Sequence, residues 1–393
     1  MSDNATTRRH FLRGVGSGTL GLALSGTLRA RSYRNERPEE LLVYVGTYTT
    51  GKSEGIYLYQ MNLSTGELKH VSTTAGVVNP SFLTVDPQRR YLYAVNEVSD
   101  FGGKPSGAVS AFEINRKTSK LHFLNQQPSF GGAPCYVTID RTGRFVLVAN
   151  YVGGNVSVFS IERDGRLGVV TDVDQHHGSS VNPHRQNGPH AHSIVLDHAN
   201  RYAYSCDLGT DRIMIYRFDS KKGKLTANQQ PWVQVKPGAG PRHFAFHPTG
   251  RYGYVMNELD ATVTAFQCDR IKGTLKEAQT VRALPEGFSE MNTTADIHLS
   301  PSGKFLYGSN RGHNSIVVFG IEERTGKLRL IEHVATQGRT PRNFAIDPTG
   351  KFLLAANQDS DTIVTFRIDP ATGRLKPTGY VTEVPSPVCL KIV

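Results

Sequence analysis

The chain is poor in tryptophan, with one in 393 residues, and holds only five methionines and four cysteines. One tryptophan excludes a repeat that carries that residue in every unit, as WD-type repeats do. Cys135, Cys206, Cys268 and Cys389 stand far apart and form no C-x-x-C pair, which excludes a disulfide scaffold and a zinc knuckle and leaves buried thiols in strands. Charged residues make up 20% and hydrophobic ones 38%, too few charges and too much apolar content for intrinsic disorder. The charge-free, moderately apolar stretch 14–28 is too short to span a bilayer as a mature helix. Motifs of nucleotide binding, nucleophile elbows and H-E-x-x-H metal sites are missing as well.

Basic residues are in excess, giving a formal net charge of +11, but four of those charges come from residues 1–31, where five arginines face Asp3 alone. The rest scatter through turns such as Arg89-Arg90 and Lys221-Lys222, a pattern of solvated loop ends that argues against a nucleic-acid partner. Arg8-Arg9-His10-Phe11-Leu12, followed by the charge-free stretch 14–28, reads as a twin-arginine export signal. We therefore expect a signal over 1–31, a linker over 32–40, engagement of the twin-arginine translocation machinery, and a periplasmic or extracellular mature protein with no stable membrane span.

Glycine and proline are plentiful, 39 and 20, and are spread along the whole chain, which favours many short strands over long helices. A turn of the Asp-Pro-Thr-Gly kind begins at Asp86, Asp140, Asp197, His247, Ser300 and Asp347, at spacings of 54, 57, 50, 53 and 47 residues. Ten residues after each stands Asn96, Asn150, Asp207, Asn257, Asn310 or Asn357. A second turn precedes a leucine in each unit, at Gly66, Gly165, Gly223, Gly273, Gly326 and Gly373, with Ser119 as the exception in unit two. Apolar runs of strand length fill the intervals, four to a unit. The fold class is therefore all-β. Residues 41–393 make a seven-bladed β-propeller of four antiparallel strands per blade. The stretch 41–48 looks like a second strand without its first and 387–393 like a first without its second, so the two should pair and close the ring.

Equivalent positions in seven blades form rings about one axis. The start of each first strand carries Ser81, Cys135, His192, Arg242, Ala295 and Arg342; the end of each second strand carries Glu97, Tyr151, Leu208, Glu258, Arg311 and Gln358. A hairpin places both positions at one mouth. The long connections 99–107, 175–189 and 285–294 open on the same face and should wall a pocket. His192, Arg242, Glu258 and Arg311 are the expected catalytic set, because guanidiniums clamp a developing oxyanion, a carboxylate activates water and an imidazole relays a proton. His190, Arg342, Glu97 and Asp296 are expected to bind substrate around them. The H-x-H pair of His190 and His192 is half a metal site without a third ligand in spacing, so no metal is expected.

The segments Gly188-Pro189-His190-Ala191-His192-Ser193, Gly240-Pro241-Arg242-His243-Phe244, Val255-Met256-Asn257-Glu258-Leu259 and Ser309-Asn310-Arg311-Gly312-His313 resemble the recurring motifs of the seven-bladed propeller lactonase family. That family includes bacterial propeller-type 6-phosphogluconolactonases and fungal carboxy-muconate lactonizing enzymes. The resemblance covers roughly 41–393 and implies a lactonase acting on a sugar-derived lactone without metal or organic cofactor, with Glu258 activating water. A muconate-type cycloisomerase and a non-catalytic propeller that binds an envelope partner are the alternatives. The export signal departs from the family, since 6-phosphogluconolactone is a cytoplasmic metabolite.

Overall fold

The computed structural model describes residues 40–393; the expected export signal and nearly all of the expected linker lie outside them. Seven four-stranded antiparallel sheets follow one another around an axis, as the repeat predicts. Blades two to seven span residues 83–128, 134–175, 191–234, 241–282, 293–335 and 341–383. Blade one is composite: Pro387–Ile392 supplies its first strand and Glu40–Thr47 its second, paired antiparallel from Val43 opposite Ile392 to Thr47 opposite Pro387. Among the described residues the only helical segment is one turn, Gln358–Ser360, and no helix is long and apolar enough to cross a membrane.

The two recurrent turns have separate tasks. In the first, a carboxylate at position one folds back over its own hairpin: Asp140 Oδ1 accepts the Arg144 and Phe145 amides at 2.7 and 2.8 Å, and Asp347 Oδ1 those of Lys351 and Phe352 at 2.8 and 2.6 Å. This is why the Asp-Pro-Thr-Gly pattern recurs. The second turn docks on the preceding blade. Tyr93, Tyr204, Tyr254 and Tyr307, three residues before the Asn ring, donate their hydroxyls to the carbonyls of Gly165, Gly273, Gly326 and Gly373 at 2.9 to 3.1 Å. Two residues earlier, Tyr91, Phe145, Tyr202, Tyr252, Phe305 and Phe352 press on the turn glycines of the following blades, so closely that a Cβ at Gly273 or Gly326 would collide with the aromatic ring. Those glycines also have positive φ, +68° and +71°, so no other residue fits without strain.

The exception at Ser119 now has a physical reason. Its turn keeps the inter-blade bond, with the Tyr44 hydroxyl on the Ser119 carbonyl at 2.7 Å, but blade one carries Leu42 where its counterparts carry an aromatic ring. Without that ring, a side chain is accommodated despite φ of 58°. The Asn ring is structural: the Nδ2 groups of Asn96, Asn150, Asn310 and Asn357 donate to Val78, Ser129, Ala283 and Thr336 carbonyls at 2.7 to 3.1 Å, stitching each second strand to the connection entering its blade.

Gly273→Ala should therefore cost about 3 kcal/mol, left-handed strain and overpacking combined. Ser119→Gly should be neutral or stabilise by up to about 1 kcal/mol. Urea denaturation midpoints of the two variants should move in opposite directions, or only the first should move; equal losses would contradict the docking account.

Candidate active site

At the entry of the first strands the pairing register slips by one residue. Pro134 and Tyr136 oppose Asn150 and Ala149, leaving Cys135 as an extra residue; the same bulge occurs at His192, Arg242, Arg342 and Val388. A bulge re-aims a side chain, and here it turns the first ring into the mouth. The second ring is fixed by its backbone: Glu97, Tyr151, Glu258 and Gln358 donate N–H to the carbonyls of Asn79, Ala133, Gly240 and Thr340 at 2.7 to 3.0 Å. Each of those acceptors has positive φ, between 41° and 68°, so the rim carries strained backbone that the surrounding sheets hold in place.

Glu258 is the centre of the site. It is 4% exposed. Arg185 Nη2 donates to its Oε1 at 2.7 Å, while Arg242 Nε and Arg311 Nη2 each lie 3.0 Å from Oε2. His192 Nε2 stands 3.9 Å from the same Oε2. Burial opposes ionisation of this carboxyl, but Arg311, Arg242 and Arg185 outweigh it and hold it down at about 2. Burial, then the charges of Arg242, His243 and Arg342, push His192 well below the usual histidine range, so its imidazole is neutral at pH 7. Its Nδ1 faces the buried Cys135 thiol at 3.6 Å, and burial raises that thiol far above the usual range. Burial also lowers Arg311, to about 9, which leaves it protonated at neutral pH.

A second carboxylate sits across the mouth. The Tyr48 hydroxyl lies 3.0 and 2.9 Å from the two oxygens of Glu97, and Ser81 Oγ donates to Oε2. The Arg342 guanidinium lies over the Tyr48 ring, 5.3 Å from its centroid. Burial disfavours the Arg342 charge, yet Tyr48, Glu97 and Glu258 more than compensate. Four guanidiniums thus surround two carboxylates, leaving the mouth with an excess of positive charge.

These residues belong to a recognisable lineage. Residues 42–392 match the model of the family described as "Lactonase, 7-bladed beta-propeller". The chain belongs to that family. It is 38% identical over 302 residues to a 6-phosphogluconolactonase of Bacillus subtilis (strain 168), covering 77% of this chain and 83% of that protein. It is 39% identical over 312 residues to a 6-phosphogluconolactonase of Formosa agariphila, covering 77% and 85%. The solved structure of the periplasmic gluconolactonase of Pseudomonas aeruginosa superposes with a TM-score of 0.85 at 34% identity, covering 90% of this chain and 99% of that one.

Of the residues expected from this lactonase sequence, the structure brings His192, Arg242, Glu258 and Arg311 into one cluster and places Glu97 and Arg342 beside it. His190 does not join its H-x-H partner: it stacks on Tyr151, with ring centroids 4.5 Å apart, and its Nδ1 faces the Tyr151 carbonyl at 2.9 Å. Among the described residues no group of three His, Cys, Asp or Glu is placed to hold a metal. Asp296 departs from the expectation of substrate contact. It is buried, and both oxygens are taken by protein donors from His243, His298 and Asn343.

Arg185 was not foreseen. Its loop was, as one of three long connections at the mouth, and a cation on such a loop is the signal that could have found it. Two hydrogen bonds fix the arm, to Glu258 and to the Tyr151 hydroxyl at 3.2 Å. The loop base is anchored by a buried chain in which His176 Nδ1 meets Asp207 Oδ2 at 2.7 Å and its Nε2 meets the Tyr216 hydroxyl at 2.9 Å. Asp207 is the exception to asparagine among the ring positions of blades two to seven.

Three guanidiniums without their carboxylate would repel one another in a buried place. Glu258→Gln should lower stability by about 3 kcal/mol at pH 7. The carboxyl ionises at about 2 in the folded protein against an ordinary 4.5, so its contribution is present above pH 4.5 and lost as pH falls through 2. Denaturation midpoints of wild type and variant should converge over that window; a constant gap would contradict the assignment.

Proposed function

We propose that the protein hydrolyses a sugar-derived lactone at this mouth, as its 6-phosphogluconolactonase relatives do, and that it works in the cell envelope after twin-arginine export. The observation that carries the catalytic part is the Glu258 cluster, in which Arg242 and Arg311 converge at 3.0 Å on one carboxylate oxygen beside the neutral His192. Fixed guanidiniums gathered in a buried place stabilise negative charge as it develops, and a lactone carbonyl oxygen that becomes an oxyanion carries such charge. The export part is supported by the twin-arginine motif and by a periplasmic location in the name of the Pseudomonas aeruginosa relative.

Both oxygens of Glu258 are spent on guanidiniums, which makes it the anchor of the clamp and a weak acceptor for a proton of water. His192, neutral and 3.9 Å away, is the better base. Water oxygen attacks the lactone carbonyl carbon and its proton goes to His192 Nε2. The oxyanion is held by Arg242 and Arg311. Collapse breaks the bond between that carbon and the ring oxygen, which takes the proton back from His192 and leaves as the hydroxyl of the open acid. Glu258, close to the transient imidazolium, offsets its charge. Glu97 with Tyr48 and Arg342 offers acceptors and donors for sugar hydroxyls, and the positive excess favours an anionic substrate.

A pH-indicator assay of the protein without residues 1–31, on δ-gluconolactone, its 6-phosphate and muconolactones, tests this. One sugar lactone should be opened faster than it hydrolyses spontaneously. His192→Ala should lose at least about a hundredfold in kcat, and Arg311→Ala about a hundredfold. Because His192 must be unprotonated, kcat/KM should fall on the acid side only well below pH 6.5. Turnover of muconolactones alone would favour the cycloisomerase, and silence on every lactone the binding propeller.

A further inference from the structure

Beneath the mouth, Arg242 is gripped from its protein side by a run of buried polar groups. Its Nη1 carries two hydrogens. One goes to the Ala295 carbonyl at 2.6 Å and the other faces His243 Nε2 at 3.2 Å. The opposite nitrogen, Nδ1 of His243, lies 2.8 Å from Asp296 Oδ1. Asp296 also accepts from the Ile297 amide, His298 Nε2 and Asn343 Nδ2. Asn343 in turn accepts the Leu390 amide at 2.7 Å on the ring-closing strand. The run therefore joins four blades, five, six, seven and one.

The order of donors fixes a tautomer. Asp296 only accepts, so the His243 proton must sit on Nδ1, which leaves a lone pair on Nε2 for the guanidinium. A proton on Nε2 would set donor against donor. Burial and the Arg242 charge keep His243 at about 4, so it remains neutral across the working range. The imidazole cannot swing, because Phe82 and Tyr136, stacked on one another at 4.2 Å, each meet it edge-on at 5.8 and 5.2 Å. With Nη1 consumed behind, Arg242 presents Nε and Nη2 to Glu258 and the mouth.

We infer that Asp296 and His243 are positioning residues that aim Arg242 at the reacting oxygen, Asp296 by fixing the His243 tautomer and His243 by accepting one Nη1 hydrogen. Neither touches substrate. The inference rests on the lactone reading for its kinetic consequence, but the tautomer itself does not.

The test is a double-mutant cycle on the best lactone. Asp296→Asn and His243→Phe should each lower kcat by about tenfold to a hundredfold while KM changes by less than about threefold. In an Arg242→Ala background either change should cost no more than about twofold further. His243→Gln, which keeps an acceptor, should recover most of the loss seen with phenylalanine. Full, additive losses in the Arg242→Ala background, or a glutamine variant as poor as phenylalanine, would overturn the inference. If Asp296→Asn does not fold, the His243 pair carries the cycle alone. Nitrogen-15 spectra of histidine-labelled wild-type protein are independent of turnover: His243 should be protonated on Nδ1 at pH 7, and finding the proton on Nε2 would overturn the inference even if no lactone were turned over.

Discussion

A carboxylate buried among three guanidiniums and a neutral imidazole is stable only while all of them are held in register. Removing water from charges of this kind costs several kcal/mol per ion. Only close geometry recovers that cost. Arg242, Arg311 and Arg185 come from a first strand, a second strand and a long loop, so no single blade could build the cluster. The rigidity of the whole ring is therefore a requirement of the site. It is supplied by the inter-blade tyrosine hydroxyls and by aromatic rings seated on turn glycines, repeated from blade to blade.

The repeat does more than stabilise. Because five blades share the same bulge at the entry of the first strand, and the rim positions after the second strands are tied by the same kind of backbone bond, the repeat offers addressed positions at the mouth. Chemistry is then written by substitution alone. Blade five supplies both Arg242 and Glu258, blade six Arg311, blade four His192, and the opposite arc Glu97, Tyr48 and Arg342. The excess of cations at this rim follows from that choice of side chains and needs no basic surface patch.

The fold was legible because the turn residues and the Asn ring recur in register, and the closing of blade one from both ends followed from counting strands. The clustering of His192, Arg242, Glu258 and Arg311 was legible for the same reason: titratable residues at ring positions stand out against asparagine and apolar neighbours. Less accessible were contacts that break the repeat. Arg185 lies on an irregular connection with no counterpart in other blades, so its reach to Glu258 could not be placed by alignment of units. Asp296, expected at the substrate, adjoins the ring position Ala295, but the pairing register shifts between Thr294 and Ile297 and Asp296 is held in the buried polar chain. The role of Glu258 also changed once its partners were visible, since sequence shows a carboxylate and not the cations that use up its lone pairs.

Ring closure has a consequence for biosynthesis. The strand Pro387–Ile392 completes blade one, and through the Leu390 amide and Asn343 it is joined to Asp296 and so to Arg242. Pairings of such long sequence separation form late. A nascent chain can stack its middle blades as they emerge from the ribosome, yet the support of the clamp is finished only when the last strand arrives. Catalytic competence is thus tied to topological completion, and a translocation route that accepts only folded cargo would inspect the same event that assembles the site.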